Sequence, residues 1–447
     1  MTQTSDTSIK ENFNLSVLAK DAGIVLGIQF AGIFITYLME VCLAQWLGKA
    51  EYGIYQYVIA WSVLMAIPAG LGLPITTLRF VAEYRVKEAW GLLWGIVQSS
   101  WLLTILASLL LGSVTAIGIF FWNDRHPFTY AIPLLIGIGL IPLQALINLQ
   151  VETARATQDM TLAYGPSKLL WPVMLLLSAS LFLEINHTLT ENSAIIIAEI
   201  TLFLVVLFQL SLLWLKLGQE FESAQPIYAL KQWLSVALIM SLNHGCFLFL
   251  ANTDTIMVGS ILGSESAGMY AAAVKTARWV SFVYDIINFV AAPSFVILYT
   301  QNNKKELQRI VSEVSIWIFW PSVAIALLLI GFSQPILGLF GSEFMPASWQ
   351  LKILVSGNLF SALCGSVGYL IVMTGHQNKS AIVMVSAVII NVVLNAIAIP
   401  LIGGVGAAIA TALTTALWSI SLAILVIKYV GVNPMVYRKL WQQEPPV

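Results

Sequence analysis

Apolar residues run along this chain in twelve stretches of about twenty or more, divided by short polar breaks. None shows the strict alternation that a half-buried strand requires. Twenty apolar residues is the length at which a helix crosses a hydrocarbon core of about 30 Å. The pattern predicts spanning helices over 22–46, 52–75, 95–121, 129–149, 167–185, 194–215, 232–252, 268–293, 313–332, 351–373, 380–400 and 403–428. Residues 1–21 are polar and include acids, and the apolar run 22–47 is far longer than a signal-peptide core. That first run is therefore expected to stay as the first span.

Composition agrees with the pattern. The apolar fraction is 59% and only 10% of residues are charged, against roughly 25% in soluble domains. Mean hydropathy is +0.86. So few charges could not cover a soluble protein of 447 residues. The three cysteines, Cys42, Cys246 and Cys364, are scattered in apolar runs, which excludes a disulfide framework and a Cys-x-x-Cys site. His126, His187, His244 and His376 show no metal spacing. No metal or cofactor is predicted. A net charge of −1 leaves no nucleic-acid footprint.

Lysine and arginine set the orientation. With the N-terminus cytoplasmic, sixteen of the 21 basic residues fall in inside segments. Three (Lys49, Arg125 and Lys352) fall outside, while Lys275 and Arg278 lie within the eighth span. Both termini are then cytoplasmic. A shift by one span would scramble the bias, which supports the count of twelve.

The chain also repeats itself. Leu47-Gly48 with Gly53-Ile54-Tyr55 recurs 215 residues later as Leu262-Gly263 with Gly268-Met269-Tyr270, and Phe80-Val81 with Tyr84 as Phe295-Val296 with Tyr299. Ala156 to Asp159 resembles Gly375 to Asn378 at an offset of 219. Six spans per repeat is an even number, so both halves enter the membrane in the same sense, a parallel repeat of the kind transporters use around a central site. The expected fold is all-α: twelve transmembrane helices in two six-helix lobes, 1–215 and 232–447, joined by a polar cytoplasmic linker at 216–231. Gly48, Gly53, Gly263 and Gly268 read as tight outside turns, and Pro74 and Pro293 as helix bends or ends.

The stretch Leu43-Ala44-Gln45-Trp46-Leu47-Gly48 through Tyr52-Gly53-Ile54-Tyr55, then Leu71-Gly72-Leu73-Pro74 and Arg79-Phe80-Val81-Ala82-Glu83-Tyr84, resembles the oligosaccharide flippases of bacterial polysaccharide biosynthesis. Those flippases share a superfamily with multidrug and toxin extruders and lipid II flippases. Pro293-Ser294-Phe295, Asn391, Asn395, Pro400 and the run Gly406 to Thr411 agree. Gln45 departs from the pattern, since many relatives carry Arg there. The resemblance implies a membrane transporter of lipid-linked sugar in the inner membrane, working by alternating access.

The eighth span carries the clearest chemistry. Lys275, Arg278, Ser281, Asp285 and Asn288 lie within about 140° of one another, with Trp279, Val280, Val283, Ile286 and Ile287 on the other side. A charge at the bilayer centre costs about 2.5–3.5 kcal/mol on insertion scales, so this side faces a watery cavity or other charges. Two readings stand: a cationic site for a diphosphate, which Arg grips bidentately, and a structural pair of Arg278 with Asp285. Glu40 on the first span and Asp254 on the seventh lie one residue apart in the repeat register. They are candidates for proton or sodium coupling or partners for Lys275 and Arg278, and their places near the ends of their spans also fit plain solvation. Asn243 falls on the same face as Asp254. Arg79 reads either as an orientation charge or as a contact for an anionic headgroup. Gln144, Asn148, Asn391 and Asn395 read as interhelical hydrogen-bonding amides.

No Gly-x-Ser-x-Gly elbow, phosphate-binding glycine loop or His-Glu-x-x-His occurs, and no enzyme is predicted. The functional expectation is a monomeric flippase that moves a polyprenyl-diphosphate-linked oligosaccharide from the cytoplasmic to the outer leaflet. The alternative is a cation- or proton-coupled multidrug extruder of the same fold, for which an unpaired carboxylate cavity would suit better than Lys275 with Arg278.

Overall fold

The computed structural model describes residues 15–221 and 225–436, and among them every regular element is helical. The first helix, Leu15–Ala69, is continuous in hydrogen bonding but broken at Gly48, where φ 72° and ψ 171° leave helical space. Its 45 residues from Val25 to Ala69 would rise about 67 Å, twice a hydrocarbon core, so the break makes two antiparallel spans. These are α1 (15–47) and α2 (49–69), and α2 resumes as Leu73–Val86 after a turn at Gly70–Gly72. The others are α3 (Trp90–Arg125), α4 (Ala131–Ala156), α5 (Met160–Asn186), α6 (Glu191–Phe221), α7 (Leu230–Leu262), α8 (Ser264–Thr300), α9 (Lys304–Gly331), α10 (Ser348–Cys364 with Val367–Met373, bent by 46°), α11 (Gln377–Ile402) and α12 (Gly404–Val430). The architecture is the expected all-α membrane fold of twelve helices in two six-helix lobes.

Several boundaries differ from the hydropathy reading. The second span does not run unbroken over 52–75, because Gly72 at φ 70° turns the chain and Pro74 starts the next helix rather than ending one. Pro293 stays inside α8 without terminating it. The stretch between the ninth and tenth spans is not an open loop: it folds into a short helix, Ser333–Gly338, and a 3₁₀ turn, Ser342–Ala347. Buried Leu337, Phe340 and Phe344 pin it against Tyr37 and Tyr52 of the first lobe.

The repeat has a physical basis at the glycines. Gly263 has φ 88° and ψ 178°, nearly the conformation of Gly48, a region open to residues without a Cβ. Gly53 and Gly268 do something else. A methyl on Gly53 would strike the Ser264 carbonyl, and one on Gly268 would strike the Lys49 carbonyl. Lys49 and Ser264 are themselves one repeat apart, so the two turns press backbone on backbone about the pseudo-twofold axis.

Two seams join the lobes from that point. Along α1 and α8, Tyr37 packs edge-on to Trp279 at 5.8 Å, and Phe30 meets Phe282 at 6.1 Å. Along α2 and α7, Tyr57 bonds Ser260 at 2.9 Å, Ile67 packs on Gly245, and Trp233 donates to Tyr84 at 3.0 Å. The repeat exchanges one seam for the other. At the Gly48 end, Lys49 pairs with Glu265 at 2.6 Å, the Lys49 amide donates to Glu343 at 2.7 Å, and Gln45 donates to the Leu339 carbonyl at 2.6 Å. Gln45 thus holds a backbone carbonyl at the place where relatives carry a cation.

Candidate functional site

Glu40 sits near the Gly48 end of α1, yet its side chain is only 4% exposed, so solvation at the interface is not its state. Its carboxylate accepts from Tyr52 Oη at 3.0 Å and from Gln56 Nε2 at 2.5 Å, both on α2. It is also ion-paired to Lys275 of α8, across the seam. Asp254 is buried too, at 5%. Around it stand Asn395 Nδ2 at 2.7 Å, Tyr270 Oη at 3.2 Å and the Thr411 hydroxyl, drawn from α11, α8 and α12. Asn391 closes the set, accepting from Asn395 at 3.1 Å. Among the described residues no cation pairs with Asp254. The side chain of Asn243 lies outside the described residues.

The polar side of α8 divides. Lys275 turns to Glu40. Asn288 is buried and donates to the Tyr284 carbonyl of its own helix at 2.8 Å. Arg278 and Asp285 are exposed, and no ion pair within bonding distance forms between them. Both lie within electrostatic reach of Lys168 on α5. Lys168 occupies a π-helical turn, Pro166–Leu170, a helix defect that recurs at functional sites. Gly32 of α1 lets that turn approach: a Cβ there would stand 3.0 Å from Lys168 Cβ and 3.1 Å from its carbonyl oxygen. Two cations and one carboxylate thus face one another between the lobes.

In the sequence Lys168 is one of the sixteen inside basic residues, and nothing there but the neighbouring Pro166 marks it out; the π turn and the Gly32 approach belong to the fold. Arg79 is not brought to this group. It is exposed on the second segment of α2, its guanidinium 5.4 Å from the Phe80 ring and near Glu83. Of the four amides, Asn395 and Asn391 bond into the Asp254 cage, whereas Asn148 is exposed.

Helix order, the paired seams and charged groups held between two lobes define a multi-pass membrane protein of two-lobed transporter architecture. The chain belongs to the polysaccharide biosynthesis protein family, which it matches over residues 18–298. It is 25% identical over 403 residues to a probable low-salt glycan biosynthesis flippase of Haloferax volcanii, covering 87% of this chain and 78% of that one. It is 21% identical over 397 residues to an uncharacterized membrane protein of Methanocaldococcus jannaschii, covering 84% and 77%. Among solved structures it superposes on an inward-facing multidrug resistance MATE transporter of the MOP superfamily with a TM-score of 0.69 at 15% identity, covering 91% and 94% of the two chains. The lipid II flippase MurJ in its inward-closed conformation gives 0.67 at 14% identity, covering 90% and 87%. At such identities the structures establish the fold alone.

Proposed function

We propose that this protein is a flippase that carries a polyprenyl-diphosphate-linked oligosaccharide from the cytoplasmic to the outer leaflet. The observation that carries the reading is the charge imbalance between the lobes. Among the described residues, Glu40 and Lys275 neutralise each other, which leaves Asp285 as the carboxylate that acts on Lys168 beside Arg278. An unmatched positive charge inside a membrane is costly, and an anionic headgroup removes that cost when it binds. Arg278 would take a phosphate bidentately, with Lys168 on the facing lobe and Asp285 within electrostatic reach of Lys168. Arg79 would meet the headgroup as it enters. The polyprenyl tail would stay in lipid while the lobes, 1–215 and 232–447 about the 216–231 linker, rock between inward-open and outward-open states. The glycan flippase relative and the family membership support this substrate class. The basic asymmetry supports cytoplasmic termini, in a cell membrane. Labelling that finds residue 260 inside or residue 305 outside would reverse that topology.

Multidrug extrusion is the second reading, favoured by one observation: among the described residues Asp254 has neutral donors and no cationic partner, as a site for H⁺ or Na⁺ or for a cationic drug would. Vesicles holding purified protein separate the two. Arg278→Ala should slow translocation of a fluorescent polyprenyl-diphosphate sugar at least tenfold, the loss of one charge-assisted contact at about 1.5–3 kcal/mol. Arg278→Lys should recover only part, since the planar fork is gone. Normal sugar-lipid translocation by Arg278→Ala, or ethidium transport in place of it, would overturn the flippase reading.

A further inference from the structure

We infer that the Glu40–Lys275 pair is a latch between the lobes that a two-phosphate headgroup opens and a one-phosphate headgroup does not. The inference rests on the flippase reading and adds to it a determinant of specificity. Its two ends are built differently. Glu40 is 4% exposed and is fixed within its own lobe by Tyr52 and Gln56, two donors that remain when Lys275 leaves. Lys275 is 29% exposed, and Glu40 is its one ion-pair partner among the described residues. One side of the pair is therefore anchored and the other is free to turn away.

Lys275 lies one helical turn from Arg278, about 4.5 Å along the axis. An anion held by Arg278 is thus within reach of the Lys275 ammonium. The first phosphate satisfies Arg278 and Lys168. A second is needed to compete with a buried carboxylate for Lys275. When it does, the salt bridge across the α1–α8 seam is lost, and the seam is left to its uncharged contacts, among them the Tyr37–Thr276 hydrogen bond at 3.3 Å and the Tyr37–Trp279 and Phe30–Phe282 ring contacts. Glu40 keeps its Tyr52 and Gln56 hydrogen bonds, which offset part of the cost of leaving it without its cation. A substrate without the second phosphate binds and leaves the lobes closed. A ligand shifts an equilibrium only by its differential affinity for the two states, and here the second phosphate supplies the difference.

The test uses the full chain in nanodiscs, with Cys42, Cys246 and Cys364 replaced by Ala and spin labels at Arg125→Cys and Leu401→Cys. Both label sites are exposed and near the Gly48 end of their lobes. Farnesyl diphosphate, farnesyl monophosphate and farnesol serve as probes. The diphosphate should lengthen the interlobe distance, and the monophosphate should bind without lengthening it. Glu40→Gln should lengthen it without ligand, bind the diphosphate about tenfold more tightly because no carboxylate competes, and respond equally to both phosphates. Glu40→Lys with Lys275→Glu should restore the closed distance and abolish the response. If the diphosphate binds and moves the lobes but Glu40→Gln changes neither distance nor discrimination, the latch is wrong and the flippase reading stands. If neither phosphate binds saturably, both fall.

Discussion

Glu40 and Asp254 are the same feature of the two lobes, a buried carboxylate near the end of the first helix of each repeat, one residue apart in register. They are solvated by opposite means. Glu40 borrows a cation from the other lobe, while Asp254 takes neutral donors from three helices of its own lobe. The cause is one position. At the 215-residue offset, the counterpart of Lys275 is Ala60, buried on α2. Without a lysine there, the α2–α7 seam is closed by Tyr57–Ser260 and close glycine contacts, and Asp254 must be served from within. A repeat with identical halves would have two latches or none. Substituting one helix face leaves one seam that charge can open and one carboxylate without a cation.

Removing the cation from the first site should have the largest effect on folding. Lys275→Ala leaves Glu40 buried with two neutral donors. Breaking a buried pair costs about 3–5 kcal/mol, and the surviving Tyr52 and Gln56 bonds put this case near about 3. The yield of monodisperse protein and its Tm should drop together, and adding Glu40→Gln should return most of both. A single variant as stable as the parent would mean that the pair contributes nothing to holding the lobes.

The second site answers differently. Asp254→Asn keeps shape and volume, with its oxygen toward Asn395 and its NH2 toward the Tyr270 and Thr411 hydroxyls, which can turn to accept, so yield and Tm should change little. If Asp254 couples H⁺ or Na⁺, transport should slow by tenfold or more and lose its dependence on the ion gradient. Unaltered transport would reduce the Asp254 cage to a packing device, and the asymmetry between the lobes would then concern the latch alone.

Much of this could be read along the chain and some could not. The twelve helices, the Gly48 and Gly263 turns and the one-sided polarity of α8 are local, written in runs of about 20 residues or in single conformations that glycine permits. The pairing of Glu40 with Lys275 joins positions 235 residues apart, and no periodicity encodes it. Likewise, hydropathy places Glu40 and Asp254 near helix ends, where water is the simplest partner. Their burial follows from the 333–347 segment folding over the Gly48 end and from α11 and α12 packing on α7. The π turn at Lys168 is a defect of hydrogen bonding with no compositional mark beyond Pro166.

The smallest effect belongs to a pair that joins no lobes. Asp159 lies between α4 and α5, caps the latter by accepting from the Leu162 amide at 2.9 Å, and pairs with Lys216 of α6 at 2.7 Å, both side chains 33% exposed. Partial burial pushes its carboxyl upward, but the Lys216 bond and the Leu162 amide outweigh that and hold the group below the usual carboxylate range. The sign follows: a carboxylate more acidic in the folded chain stabilises above its unfolded value of about 3.9, and the benefit disappears as pH falls through the lower folded value. Asp159→Asn keeps a capping oxygen and loses the ion pair, so about 0.5–1 kcal/mol should go, less in high salt. Tm at pH 7 should fall slightly, the gap to the parent should close as pH drops below about 4, and the interlobe label distance should not move. If Asp159→Asn opened the lobes as Glu40→Gln is expected to, any ion pair would serve as a latch, and the position of Glu40–Lys275 on the seam would explain nothing.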